Sequence, residues 1–144
     1  MAAVRDILGK KGSVIIALPT SASVLDAARV MSERGVGGVL VMHEGRLAGI
    51  FTERDILRRV VAEERDPAKT PLRGVMTAAV LTCAPETTLE ECREIMTTRR
   101  IRHLPVIGAD GLCGVISSGD VLAFTVADQQ ATIQDLNRYV YDVR

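Results

Sequence analysis

The chain has 144 residues, 47% of them apolar and only 3% aromatic, and its 18 basic and 18 acidic side chains balance to zero net charge. That length and apolar content suit one ordinary domain or two small ones with a packed core, and argue against a disordered chain. The neutral balance and scarce aromatics exclude the broad basic footprint and stacking platform of a general nucleic-acid binder, leaving room only for a local basic patch.

In chain order, the opening "MAAVRDILGKKG" lacks the apolar core and cleavage site of a signal peptide. No apolar run approaches the roughly 20 residues that cross a bilayer, so a cytoplasmic protein is expected. A short apolar run, "SVIIAL", is followed by "PTSASVLDAARVMSERG", where Ser23 and Asp26 form a capping box. Val24, Ala27, Ala28 and Met31 recur at helical spacing, and Gly35 is the stop. Two apolar strands, "GVLVM" and "LAGIF", flank the polar turn "HEGR", and a second helix opens at Thr52. The polar, proline-bearing stretch Ala62 to Pro71 reads as a linker.

The same series then recurs. A run "AVLTCA" precedes a helix capped by Thr88 and Glu91, with Leu89, Cys92, Ile95 and Met96 as its buried stripe. Strands "HLPVI" and "LCGVI" flank "GADG", and another helix opens at Ser117. Beyond it, "ATIQDLNRYVYDVR" spaces Ile133, Leu136, Val140 and Val143 as one helical apolar stripe, which either packs back on the repeats or meets a second copy. Cys83, Cys92 and Cys113 stand in no metal-ligand or redox spacing, so they are expected to be small core residues.

Shifting the sequence by 65 positions aligns residues 24 to 57 with 89 to 122 without a gap. Met31, Arg34, Val41, Leu47, Gly49, Asp55 and Leu57 meet Met96, Arg99, Val106, Leu112, Gly114, Asp120 and Leu122, where chance supplies roughly two identities. Two copies of one βαββα unit are implied. A unit of about 60 residues is marginal alone, because it buries only about 60% of its unfolded surface, so the copies are expected to pack together. The fold class is therefore α/β (α+β), with a first repeat over 1–66, a second over 67–127 and a C-terminal amphipathic helix over 128–144.

Each copy carries a glycine, two apolar residues, a hydroxyl, two variable positions and an aspartate: "GIFTERD" from Gly49 and "GVISSGD" from Gly114. Thr52 and Ser117 fall at helix N-caps, where unpaired N–H groups and the helix dipole favour an anion. Asp55 and Asp120, three residues on, have the chemistry to accept two hydrogen bonds from a cis-diol such as ribose. The plainer reading is a pair of capping boxes, with the glycines marking close backbone approach.

With these elements in place, the chain resembles a pair of cystathionine-β-synthase (CBS) domains, a Bateman module, from about Val4 to Ala127. "RHLPVI", "GVISSGDVL" and "GIFTERDIL" carry the resemblance. It implies a pseudo-two-fold pair of repeats that binds an adenine nucleotide (AMP, ADP, ATP, NAD(H) or S-adenosylmethionine) in the cleft between them. It implies a regulatory module and homodimer, not an enzyme. On that pattern Asp55 and Asp120 hold ribose hydroxyls, and Thr52 and Ser117 contact phosphate or sugar. Arg54 faces phosphate, and Arg102 and His103 reach across to the phosphate of the Asp55 site. The base lies among Val14 to Ala17, Val39 to Val41, Val80 to Thr82 and Leu104 to Val106, with Val39, Thr82, Leu104 and Pro105 as expected contacts.

The first repeat departs from the second: Gly37 and Gly38 stand where Arg102 and His103 would, so two inequivalent sites are expected. His103 is as readily a packed strand residue as a ligand contact, and His43 sits in a polar turn. Arg58, Arg59, Arg99 and Arg100 read first as exposed faces. Two other functions are weighed against a nucleotide sensor signalling to a partner. One is a ligand-free scaffold or dimerisation module. The other is a small nucleotide-processing enzyme, for which no nucleophile and base pair, metal cluster or Walker loop is found.

Overall fold

The computed structural model describes residues 1–12 and 15–142. The helix α1 (Val4–Lys11) comes first and has no counterpart in the sequence expectation. Its start is secured by Asp6, whose carboxylate accepts the Ala3 N–H at 2.8 Å. A short β1 (Ala17–Pro19) precedes α2 (Val24–Arg34), where Ser23 and Asp26 form the expected capping box and Gly35 turns left-handed at the end. The hairpin β2 (Gly38–His43) and β3 (Arg46–Thr52) leads into α3 (Glu53–Asp55), which continues as a π-helix over Ile56–Val61.

Two single 3₁₀ turns, Pro67–Lys69 and Leu72–Gly74, lead to α4 (Leu89–Arg99), capped by Thr88. The second hairpin is β4 (His103–Gly108) and β5 (Gly111–Ser117). One continuous helix, α5 (Ser118–Asp142), then replaces the two helices the sequence suggested. From Ala127 to Arg138 its side chains are all exposed, including Ile133 and Leu136; the side chains of Val140 and Val143 lie outside the described residues.

β1 runs parallel to β2 and β2 antiparallel to β3. The second repeat forms only the antiparallel β4–β5 pair, and "AVLTCA" contributes a single parallel bridge, Cys83 to Val106. The 65-residue offset shows why. In the first repeat the Leu40 N–H donates to the Ile16 carbonyl at 3.0 Å. Its counterpart is Pro105, which has no N–H, so that rung of the ladder cannot form. Both hairpins shift register at the same place, after Val41 and after Val106, which leaves Ala48 and Cys113 as the extra bulge residues.

The chain divides into two compact units, Val14–Leu81 and Met1–Ser13 with Thr82–Arg144. Their boundaries differ from the partition at residue 66. In the second unit α1 sends Val4 and Ile7 into a core with Leu89, Cys92, Met96, Leu104, Val106, Ile116 and Val121. In the first, Leu72 and Val75, from beyond the polar stretch, close a core of Val24, Ala27, Met31, Val39, Val41, Phe51 and Val60. Each repeat thus borrows the apolar segment that precedes the other in sequence.

The expected linker, Ala62 to Pro71, is only partly one. Its end is tied to the start of α2: the Val24 N–H donates to the Thr70 carbonyl and the Leu72 N–H to the Ala22 carbonyl, both at 2.9 Å. Thr70 is buried and its hydroxyl donates to the Asp66 carbonyl at 2.7 Å.

The motif glycines are explained by these borrowed segments. A Cβ at Gly49 would stand 2.7 Å from both the Thr77 carbonyl oxygen and the Met76 sulfur; at Gly114 it would meet a Leu8 methyl at 3.0 Å. Backbone cannot give way as a leucine side chain can. Gly49→Ala should therefore destabilise the protein by about 1–3 kcal/mol, the range for overpacking. Gly114→Ala should cost under about 1 kcal/mol on the same scale. Urea midpoints of the two variants against the parent chain measure the difference.

Candidate functional site

The two hydroxyl–aspartate pairs form as the spacing predicts. Around Thr52, the Asp55 Oδ2 accepts the Thr52 N–H at 3.0 Å and the Thr52 hydroxyl at 3.3 Å, while the Asp55 N–H donates to Thr52 Oγ1 at 3.4 Å. Around Ser117, the Asp120 Oδ2 accepts the Ser117 N–H at 2.8 Å and the Asp120 N–H donates to Ser117 Oγ at 3.0 Å. A further first-turn N–H is also used in each repeat: Glu53 donates to the Gly37 carbonyl at 3.1 Å and Ser118 to the Arg102 carbonyl at 2.8 Å. Three amides at each strand-to-helix junction are therefore engaged within the repeat, which narrows the anion seat expected from a bare N-terminus.

The aspartates differ in setting. Asp55 is 6% exposed, and its second oxygen, Oδ1, accepts the Thr77 hydroxyl at 3.1 Å and lies 3.7 Å from Arg59 Nε. Asp120 is half-buried, as are Ser117 and His103. Strand register sets His103 directly opposite Ser117 and Gly38 opposite Thr52. His103 and Ser117 are thus cross-strand neighbours in their own repeat, and Arg102, which is exposed, precedes His103. Arg54 is exposed on the first turn after Thr52.

The residues expected around a base are less open than the motif suggests. Val39 and Leu104 are wholly buried in the cores of their own units, and Pro105 is buried beside Leu104, so their side chains are committed to packing. Thr82 is exposed and lies outside any strand. Ile15 and Ile16 are half-buried and Ala17 exposed; Val14 lies outside the described residues. Sequence reasoning missed Thr77, and it read Arg59 as an exposed face residue. Thr77 meets Asp55 through tertiary packing, from 22 residues away; Arg59 is exposed as read, and it reaches Asp55 locally, by the (i, i+4) spacing.

Among the described residues no cluster of His, Cys, Asp and Glu could hold a metal ion, and no helix is long and apolar enough to cross a membrane. Cys83 and Cys92 are buried and Cys113 half-buried, all as free thiols. Burial, reinforced by Cys92 beside it, pushes the Cys83 thiol from its ordinary 9.0 up to about 12, and burial raises Cys92 as well. Both stay neutral at physiological pH, which suits core residues and not nucleophiles.

Comparison with known proteins places this geometry in a family. The CBS domain model matches residues 4–62 and again 72–127. The chain belongs to the CBS-domain family and carries two tandem copies; such pairs are generally regulatory and often bind nucleotides. A mitochondrial CBS domain-containing protein of Arabidopsis thaliana, CBSX3, is 37% identical over 126 residues, which cover 84% of this chain and 61% of that protein. The chain thus spans about three fifths of that relative's length. A solved CBS-domain structure from Burkholderia ambifaria superposes with a TM-score of 0.86 at 40% identity, covering 89% of this chain and 96% of that one. A hexameric CBS-CP12 protein from bloom-forming cyanobacteria superposes with a TM-score of 0.74 at 31% identity, over 85% of this chain and 70% of that one.

The raised Cys83 value has a consequence at alkaline pH. A thiol held protonated by the fold contributes its full stabilisation below pH 9.0, and this is lost as pH rises towards about 12, because the unfolded chain ionises first. Stability should fall across that window by up to about 1.4 kcal/mol per pH unit for one such group. Cys83→Ala should flatten the fall, which urea unfolding measured at pH 8, 9 and 10 would register.

Proposed function

We propose that the chain is a regulatory module that binds an adenine nucleotide and signals to a partner protein, reporting energy or redox state from the cytoplasm. The carrying observation is the repeated hydroxyl–aspartate pair at a strand-to-helix junction, in a chain of a family whose paired domains often bind nucleotides. Ser117 and Asp120 favour the first ligand. Asp120 is half-buried where Asp55 is sealed, and His103 and Arg102 stand on the same repeat to meet a phosphate. Asp120 would accept the ribose hydroxyls, and Ser117 would contact phosphate or the adjoining sugar. Arg54, Thr52 and Asp55 would form the second, less open site. Buried Val39, Leu104 and Pro105 would offer backbone groups to the base, and Thr82 its hydroxyl. A regulatory output requires that the nucleotide bind two conformations with different affinity.

Thermal unfolding with AMP, ADP, ATP, NAD, NADH, S-adenosylmethionine and GTP tests the reading. An adenine compound at 100 times its dissociation constant should add about 2.7 kcal/mol to the folded state. Asp120→Ala should abolish most of that shift. A flat response to every compound would defeat the sensor and favour a scaffold, a reading supported by the capping bonds that both aspartates already make. On that reading Asp55→Asn and Asp120→Asn would each cost only the roughly 0.5–2 kcal/mol of a lost cap.

A second copy of the chain is the partner we propose for the exposed apolar faces. Leu57 (62% exposed) and Val61 (60%) in the first repeat correspond through the 65-residue offset to Leu122 (65%) and Val126 (43%) in the second. Matching apolar positions exposed twice suit an isologous homodimer, in which the same patch faces itself. Leu57→Glu combined with Leu122→Glu should halve the mass seen by sedimentation equilibrium without lowering the helical circular dichroism signal.

A further inference from the structure

The two repeats differ most where a neighbouring segment crosses the motif. In the first, Arg59 Nη1 donates to the Met76 carbonyl at 2.7 Å and the Val75 carbonyl at 3.3 Å, and its Nε lies 3.7 Å from Asp55 Oδ1. That oxygen also accepts the Thr77 hydroxyl at 3.1 Å. Ile50 and Thr77 exchange both backbone hydrogen bonds, each at 2.9 Å. Asp55 thus meets both side chains, Thr77 and Arg59, that reinforce the backbone pairing of residues 75–77 with β3 and the following helix.

The offset of 65 carries Arg59 onto Phe124. The borrowed segments match at a different offset, because the Val4 N–H donates to the Thr87 carbonyl as the Leu72 N–H does to the Ala22 carbonyl, which sets Gly9 in the place of Thr77 and Ile7 in the place of Val75. A phenyl ring and a glycine donate no side-chain hydrogen bond to a carboxylate. The second unit instead sets the Lys10 ammonium 4.9 Å over the Phe124 ring, a cation over a π face. The helix that carries Arg59 is also wound as a π-helix over Ile56–Val61, a form that recurs at functional sites, whereas α5 is α-helical throughout. The arrangement in the first repeat is a separate construction.

We propose that Asp55, Arg59 and Thr77 form a latch that holds residues 75–77 on the first repeat, and that a cis-diol ligand reaching Asp55 must take the oxygen that Thr77 holds and so release that segment. The opening step rests on the nucleotide reading above. Thr77 is then a specificity-determining residue: its hydroxyl competes with the ligand's hydroxyl for one carboxylate oxygen. Release matters because residue 77 lies four residues before the chain leaves the first compact unit at Leu81. Occupancy at Asp55 would alter the tether between the units, a differential contact that a two-state regulator needs.

Amide exchange by NMR on the full chain tests the latch, with Thr77→Val and Arg59→Met as variants and AMP as the probe. Thr77→Val keeps the branched shape and removes the donor. Without ligand, both variants should speed exchange of the Ile50 and Thr77 amides about tenfold, one hydrogen bond's worth on the scale for charged partners. The β2–β3 amides of Val39 and Phe51, as internal controls, should not change. In an Asp120→Ala background, which isolates the Asp55 site, Thr77→Val should bind AMP about tenfold more tightly, and AMP should speed the Ile50 and Thr77 amides in the chain with Thr77 intact. Unchanged Ile50 and Thr77 exchange in both ligand-free variants would overturn the latch. AMP binding through Asp120 with no tightening by Thr77→Val would overturn the competition and leave the nucleotide reading standing. Absence of binding by AMP, and by every other compound of the thermal unfolding series, in parent and Thr77→Val alike would overturn both the nucleotide reading and the opening step.

Discussion

The close approach of backbone over Gly49 is the constraint on which the first repeat depends. With the Thr77 carbonyl oxygen 2.7 Å from where a Cβ would stand, residues 76–77 lie directly on β3. That position lets Ile50 and Thr77 pair through their backbones and lets Leu72 and Val75 close the core. It also brings the Thr77 hydroxyl to Asp55. The motif's first residue and its last are therefore coupled: the glycine admits the segment and the aspartate fastens it.

An aspartate three residues past a helix cap is ambiguous until its second oxygen is located. Oδ2 of Asp55 and of Asp120 both serve the cap, as any capping box would. At Asp55 the remaining oxygen is held by Thr77 and faces Arg59. A carboxylate so placed is well compensated for its burial, since an ionised group taken from water needs both hydrogen bonds and opposite charge. The same features tie any ligand at Asp55 to the release of a neighbouring segment, which links a local cap to the path of the chain between units.

Tandem duplication supplies two copies of the frame, and divergence at few positions makes them different. Pro105 removes one rung and reduces a three-stranded sheet to a hairpin. Gly37 and Gly38 remove a cation and an imidazole from the first strand start, and Phe124 and Gly9 stand where the first repeat has the donors Arg59 and Thr77. None of these changes disturbs the Thr52–Asp55 and Ser117–Asp120 capping boxes or the bulges, which both copies keep at matching positions. A module with one sealed and one half-buried acidic site follows from substitutions at the rim of a retained fold.

The sequence by itself determined the doubled unit, the α2 and α4 caps, both hairpins, the burial of Cys83 and Cys92, and the positions of Thr52, Asp55, Ser117 and Asp120. These follow from contacts three or four residues apart and from alternating burial, which spacing records directly. Tertiary structure alone decided that α1 packs with the second repeat, that residues 70–77 belong to the first, and that α5 runs on unbroken into the tail. It also decided that Asp55 is closed over by Thr77 and that His103 pairs with Ser117 across the second hairpin. The physical reason is range. A cap is a bond between near neighbours, whereas the sealing of Asp55 depends on a segment 22 residues away finding room over a glycine, and that room exists only once the core beneath it has packed.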